Sequence, residues 1–248
     1  MNRESDSNGI MVAILAGGRG DRLSEITRSI PKPLVRIGGQ PIIWHLMNYY
    51  YCYGFKDFAI ALGYKSGAVR KWFDEYRASD AANGWHVNLL NTGNRTQTGG
   101  RIKKLTSAIG NRTFMLTWCD GLSNIDLKDL LTFHRSHGKL VTLTAVRPPP
   151  RYGYLELDGD SVIGISNKLR GSNRWINGAF FACEPGVFDY IEGDQTRFER
   201  EPLENLARDG QLMAYRHPGF WECMDTIQDR KILNSIWSSG RAPWALWG

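Results

Sequence analysis

The chain has 248 residues, 42% of them hydrophobic and 23% charged, which is enough to bury one large α/β core without staples. Its 31 basic and 25 acidic side chains leave a net charge of +6. The basic residues are scattered rather than gathered in a stripe, which argues against a nucleic-acid partner and suits a small polyanionic substrate. No run of about 18 apolar residues predicts a membrane span.

Taken in chain order, Met1–Gly9 is polar, carries both charge signs and reads as a frayed tail within residues 1–10. Met11–Ala16 is an apolar run stopped by glycine, hence a buried strand. Ile42–Tyr53 has helical spacing, and Phe58–Leu62 is a second buried strand. Strand, helix, strand is a βαβ unit and implies a parallel sheet. Ser66–Arg77 predicts a helix, Val87–Leu90 and Thr113–Trp118 strands, Asp126–His137 a helix and Leu140–Val146 a strand. After Pro148–Pro150 the texture changes to shorter strands at Tyr154–Leu157, Ser161–Ser166 and Gly178–Cys183. Helices follow at Glu199–Arg208 and Thr226–Trp237, the latter opening with Thr226 and Asp229 in capping-box spacing. Residues of about 11–146 thus read as a doubly wound nucleotide-binding part and about 147–248 as a mixed, β-rich substrate part, joined without a linker in one body. Cys52, Cys119, Cys183 and Cys223 form no C-x-x-C pair and show no metal-ligand spacing, so they read as reduced, mostly buried thiols of a cytoplasmic protein.

Four motifs carry chemistry. Leu15-Ala16-Gly17-Gly18-Arg19-Gly20-Asp21-Arg22 follows the first strand. Its glycines let backbone N–H groups approach phosphate oxygens, and Arg19 and Arg22 add charge; a plain glycine turn is the alternative. In Pro31-Lys32-Pro33, two prolines stiffen the mount of a lysine that either meets a phosphate or is merely solvated. Asp120 ends an apolar strand, where open α/β sheets bind ligands, and suits Mg²⁺ as well as it suits a turn. Asp225 precedes the last helix, as a second carboxylate facing Asp120 or as a helix cap.

The order of these motifs, together with Ile176-Asn177-Gly178 and a lysine after a strand, resembles the sugar-phosphate nucleotidyltransferases, and within them the glucose-1-phosphate cytidylyltransferase (CDP-glucose pyrophosphorylase) family. Stretches similar to that subfamily include Ile37–His45, Asn91–Gly93, Thr98–Ile102, His217–Trp221 and Ala242–Trp244, so the likeness runs from about Met11 to the C-terminus. The resemblance implies a Rossmann-like nucleotidyltransferase fold with a mixed, mainly parallel sheet and a smaller sugar-binding β-rich part. It implies Mg²⁺ on Asp120 and Asp225, and Arg22, Lys32 and Asp120 as the catalytic residues. Nucleotide contacts fall on Leu15–Arg22, Lys32, Thr96, Gly99, Arg101 and Cys119, and sugar-phosphate contacts on Gly153, Lys168 and Asn177. CTP and glucose 1-phosphate are the implied substrates and a homo-oligomer the implied assembly. Another nucleotide or phosphate acceptor, or a catalytically silent nucleotide-binding relative, are the alternatives. This sequence departs from the family pattern at Asp21 (Thr or Ser), Cys119 (Gly), Asn91 (an acid) and at Asn167 and Leu169, which flank Lys168 in place of Glu and Pro. The segment between Trp72 and Thr92 is also shorter. The implied reaction is in-line attack of a sugar 1-phosphate on the α-phosphorus, with no general base required.

Overall fold

A computed structural model describes residues 9–79, 84–147, 154–166 and 175–247. In chain order the elements of the first part are β1 (Met11–Ala16), α1 (Ser24–Thr27), β2 (Arg36–Ile37), β3 (Gln40–Pro41), α2 (Ile42–Cys52), β4 (Asp57–Leu62), α3 (Ser66–Arg77), β5 (His86–Asn91), α4 (Thr98–Lys104), α5 (Thr106–Ile109) and β6 (Phe114–Trp118). They are followed by β7 (Gly121–Ser123), α6 (Leu127–His137), β8 (Val141–Val146), β9 (Tyr154–Asp158), β10 (Ser161–Ser166), β11 (Ile176–Cys183), α7 (Glu201–Arg208), β12 (Leu212–Arg216), β13 (Trp221–Cys223) and α8 (Ile227–Ser238). Among the described residues no helix is long and apolar enough to cross a membrane.

A nine-stranded sheet runs in the order β5-β4-β1-β6-β11-β8-β12-β10-β9. β5, β4, β1 and β6 are parallel, as the βαβ pattern predicts. β11 enters antiparallel between β6 and β8, and β10 runs antiparallel to both β12 and β9. Only these two strands oppose the rest, so the sheet is mixed but mainly of one direction. After β1 the chain builds outward to β4 and β5, then returns to place β6 on the other side of β1. That reversal opens a crevice at the carboxyl ends of β1 and β6, the place where α/β sheets receive ligands.

The period of two along each strand assigns the two faces. Val12, Ile14 and Ala16 join Phe58, Ile60 and Leu62 in a core shared with α2, α3, α6 and α8. Ala13 and Leu15 join Ala59 and Ala61 on the opposite face, under α4 and α7. The alanines leave little bulk there, and α4, with Gly99 and Gly100 in its first turn, lies against β1 and β4.

Several boundaries have local causes. Asp126 caps α6 by accepting hydrogen bonds from the N–H groups of Lys128 and Asp129, and Thr226 and Asp229 form the expected capping box of α8. The helix expected over Glu199–Arg208 begins only at Glu201, because Phe198 and Glu199 are bonded elsewhere. α4, β7, β12 and β13 were not foreseen. α4 mixes two glycines with three basic residues in seven positions and has no apolar period.

The C-terminal segment is anchored on one imidazole. Fully buried His45 in α2 donates through Nε2 to the Ile37 carbonyl (2.8 Å) and accepts at Nδ1 from the Trp244 indole (3.3 Å), which fixes a neutral tautomer. Burial pushes its pKa from 6.5 down to about 4, against a smaller upward pull from that carbonyl. The unfolded chain therefore takes up this proton near pH 6.5 and the folded one only near pH 4. Stability is unaffected by this group above that window and falls as pH drops through it, by about 3 kcal/mol in all. Urea titrations from pH 7 to pH 4 should show a shallower loss for His45→Gln than for the parent; equal slopes would remove His45 from this account.

Candidate active site

The glycine loop leaves β1 at the mouth of the crevice. Gly17 is fixed by close approach: a Cβ there would lie 2.1 Å from the Arg101 guanidinium. Gly20 has φ +68°, which glycine adopts at no steric cost, and turns the chain into a 3-10 turn at Asp21–Leu23. Thr27 ties the loop down by donating its hydroxyl to the Gly20 carbonyl (3.0 Å). Leu15, Gly17, Gly18, Gly20, Asp21 and Arg22 line a cavity of about 450 Å³ together with Lys32, Thr96, Arg101, Cys119, Asp120 and Asp225. Ala16 and Arg19 do not line it.

Asp120 follows β6, and the next residue, Gly121, starts β7. β13 pairs antiparallel with β7, setting Cys223 opposite Gly121, and the Met224 N–H donates to the Asp120 carbonyl (2.9 Å). This short pairing carries Asp225 across to Asp120. The backbone N–H groups of Asp225 and Thr226 both donate to Asp229, so helix capping is done by other residues and the Asp225 carboxylate faces the site. Lys32, after the extended Pro31, places its ammonium 2.6 Å from Asp120 Oδ2 and 2.8 Å from Asp225 Oδ1. Arg22 adds a contact of 2.8 Å to Asp225 Oδ2. Two cations and two anions thus form a neutral cluster. The Lys32 and Asp225 side chains are only 11% and 6% exposed, while Arg22 is 70% exposed. Burial alone would lower the Lys32 pKa, but the charges of Asp120 and Asp225 outweigh it and hold the lysine protonated.

Oxygen atoms of Asp120 and Asp225 lie with the Cys223 sulfur in a group spanning no more than 4.8 Å. Two carboxylates beside a cavity with room for water and phosphate fit Mg²⁺, which takes one or two protein carboxylates and leaves its other positions to such ligands. The cysteines have no metal-ligand spacing along the chain, but strand pairing brings Cys223 beside the acid pair, which spacing does not reveal. Cys119, Cys183 and Cys223 are buried thiols and Cys52 is exposed. Burial, with the Asp120 charge adding, pushes the Cys119 thiol up to about 12.

Arg101 is 5% exposed and spends its guanidinium on the protein: on the carbonyls of Gly17 (2.9 Å), Gly93 (2.9 Å) and Leu62 (3.3 Å) and on the Thr92 hydroxyl (2.6 Å). It thereby clamps the strand ends that carry the glycine loop. Thr96 donates to the Thr92 carbonyl at the cavity wall. Gly99 stands off the cavity, its N–H bound to the Thr196 carbonyl (2.9 Å).

A second cavity, of about 540 Å³, shares Arg22, Trp118, Asp120 and Asp225 with the first and extends toward β11 and α7. Asn177 lines it at a bulge in β11, where its Oδ1 accepts the N–H of Ala179 (2.8 Å) and Ala179 sits at φ +59°. Such a left-handed non-glycine residue is a form of local strain that clusters at ligand sites. Gly153 and Lys168 lie outside the described residues, as do Asn167 and Leu169. Sequence reasoning missed Trp118, the wall between the two cavities, and Glu199, which accepts from the Trp118 indole (3.1 Å) and the Thr98 hydroxyl (2.6 Å). Trp118 ends the strand expected over Thr113–Trp118; Glu199 gave no local signal.

The profile of the nucleotidyl transferase family matches residues 11–229. The chain is 42% identical to glucose-1-phosphate cytidylyltransferase of Salmonella typhi, covering 94% of this chain and 98% of that protein. It is 30% identical to mannose-1-phosphate guanyltransferase of Pichia angusta over 90% of this chain and 62% of that protein. Among solved structures, HddC from Yersinia pseudotuberculosis is similar in fold, with a TM-score of 0.80 at 24% identity over 92% of this chain and 99% of that one.

Arg101→Met should lower unfolding stability by about 3 kcal/mol, because buried carbonyls lose a charged donor. It should also raise the KM for a nucleotide by loosening the loop. A variant matching the parent in denaturant midpoint and KM would contradict the clamp.

Proposed function

The chain belongs to the nucleotidyl transferase family, and on that premise we propose that it transfers the cytidylyl group of CTP to glucose 1-phosphate, releasing pyrophosphate, with Mg²⁺ as cofactor. One observation carries the reading: two carboxylates from distant parts of the chain share one ammonium where two cavities meet. The choice of base and sugar follows the stronger likeness to the cytidylyltransferase over the guanyltransferase.

In this reading the part of about 11–146 carries the nucleotide, with the triphosphate over the glycine loop. The part of about 147–248 supplies most of the second cavity, for the sugar phosphate, with Asn177 on its wall and Trp118 between the two ligands. Gly153 and Lys168 belong to the sugar-phosphate side of the same proposal, and Thr96, Gly99, Arg101 and Cys119 to the nucleotide side. Asp120 and Asp225 would hold Mg²⁺, which when bound supplies positive charge against the phosphates.

The acceptor phosphate is largely anionic at neutral pH, so the chain needs no general base. Its task is to bring two polyanions together. Two unit charges at about 4 Å interact by roughly 4 kcal/mol at an effective dielectric near 20. Arg22, at the rim, and Lys32, at the meeting point, offer fixed positive charge against that repulsion. An oxygen of the sugar phosphate then attacks the α-phosphorus, and the bond to the β-phosphate breaks with pyrophosphate leaving. Catalysis is positioning and charge stabilisation. A cytoplasmic homo-oligomer belongs to the same reading.

A panel of nucleoside triphosphates and sugar 1-phosphates, followed by pyrophosphate release, should give its highest kcat/KM with CTP and glucose 1-phosphate. Turnover should stop with EDTA and return with Mg²⁺. Asp120→Asn should lose at least about 100-fold in kcat while its circular dichroism stays unchanged. Full turnover without a divalent ion, or in Asp120→Asn, would reject the mechanism; preference for another pair would reject only the substrates.

A further inference from the structure

The donor set at the acid pair contains an atom that Mg²⁺ does not use. Alternation along β13 and the residues after it turns Met224 into the core, fully buried, while Trp221, Cys223 and Asp225 line the second cavity. Cys223 is 8% exposed. Its sulfur falls within the same 4.8 Å group as oxygens of Asp120 and Asp225.

Hard cations select oxygen and would leave such a thiol as packing. Softer divalent ions bind thiolate and carboxylate together, with near-tetrahedral geometry for zinc. We propose that Asp120, Asp225 and Cys223 form a three-donor site, two carboxylates and a thiolate, for a thiophilic divalent cation such as Zn²⁺ or Cd²⁺, overlapping the seat of the hard ion. This rests on the reading of the acid pair as the metal seat. On binding, the S–H bond releases its proton to water and the sulfur electron pair forms the metal bond; nothing is oxidised or reduced. Three anionic donors leave a dication with one negative charge in excess, and either Lys32 or Arg22 beside them suffices to offset it. A thiophilic ion and Mg²⁺ therefore exclude one another.

The test is a Cd²⁺ titration of the full chain, stripped of metal and carrying Cys52→Ser to remove the exposed thiol. It is followed by the ultraviolet sulfur-to-cadmium charge-transfer absorption and by calorimetry. One Cd²⁺ per chain should bind with that absorption, and excess Mg²⁺ should weaken the binding. Cys223→Ser and Cys223→Ala should each abolish the absorption and bind at least about tenfold more weakly, with thermal melts reporting that each is folded. Cys119→Ser should keep both signals. Should both Cys223 variants misfold, the parent alone decides through the charge-transfer absorption and its reversal by Mg²⁺. Retention of absorption and affinity in folded Cys223→Ser, their loss in Cys119→Ser instead, or undiminished binding by Asp225→Asn would each overturn the proposal. Failure of the underlying metal reading has a different signature, turnover of the parent that ignores Mg²⁺. Failure of this inference leaves Mg²⁺ dependence intact and Cd²⁺ affinity indifferent to Cys223.

Discussion

One ammonium group held between two carboxylates organises this molecule. Lys32 touches both Asp120 and Asp225 at hydrogen-bond distance, and the Lys32 and Asp225 side chains are nearly buried. Two acids so near one another repel, and the shared ammonium offsets that repulsion. Because the cluster with Arg22 is neutral, the fold can bury most of it at tolerable cost. The same two carboxylates then offer a ready seat for a divalent ion.

The rest of the fold reads as the means of assembling that cluster. Asp120 is delivered by β6 at the point where the strand order reverses. Lys32 is delivered by a proline-braced turn after the glycine loop, and Asp225 by the short β7–β13 pairing. Arg101 holds the ends of β1 and β4 and the segment after β5 in register from below by bonding their carbonyls. Glu199 ties the indole of Trp118 to the first residue of α4, so the wall between the cavities is fixed from the α7 side. The two cavities thus share one indole and one set of charges.

Much of this was legible in the sequence, for definable reasons. β1, β4 and β6 are short apolar runs, α3 is strongly amphipathic, and the α8 start carries its capping box in plain spacing, so local chemistry alone identified them. Asp120 stood out because open α/β sheets bind ligands at strand ends, although a turn aspartate explained it too. Asp225 was harder, since a helix cap explained it equally well until Thr226 and Asp229 were seen to do the capping. Pairings between distant segments left no local trace. The antiparallel entry of β11, the pairing of β13 with β7, and the arrival of Cys223 beside the acids depend on contacts far along the chain. Arg101 was named only through the resemblance, as a nucleotide contact, and nothing in the sequence signalled that its donors are spent on carbonyls and the Thr92 hydroxyl. Lys32 was expected on phosphate, and its ammonium sits on the two carboxylates.

Lys32 is the counter-charge of the Asp120–Asp225 pair. The most direct measurement is thermal unfolding of Lys32→Met beside the parent, with EDTA and with saturating Mg²⁺. Removing one partner of a buried ion pair costs about 3–5 kcal/mol, so the variant should melt well below the parent in EDTA. Mg²⁺ should recover much of that loss while moving the parent less. A Lys32→Met protein that melts with the parent in EDTA and does not respond to Mg²⁺ would contradict the account.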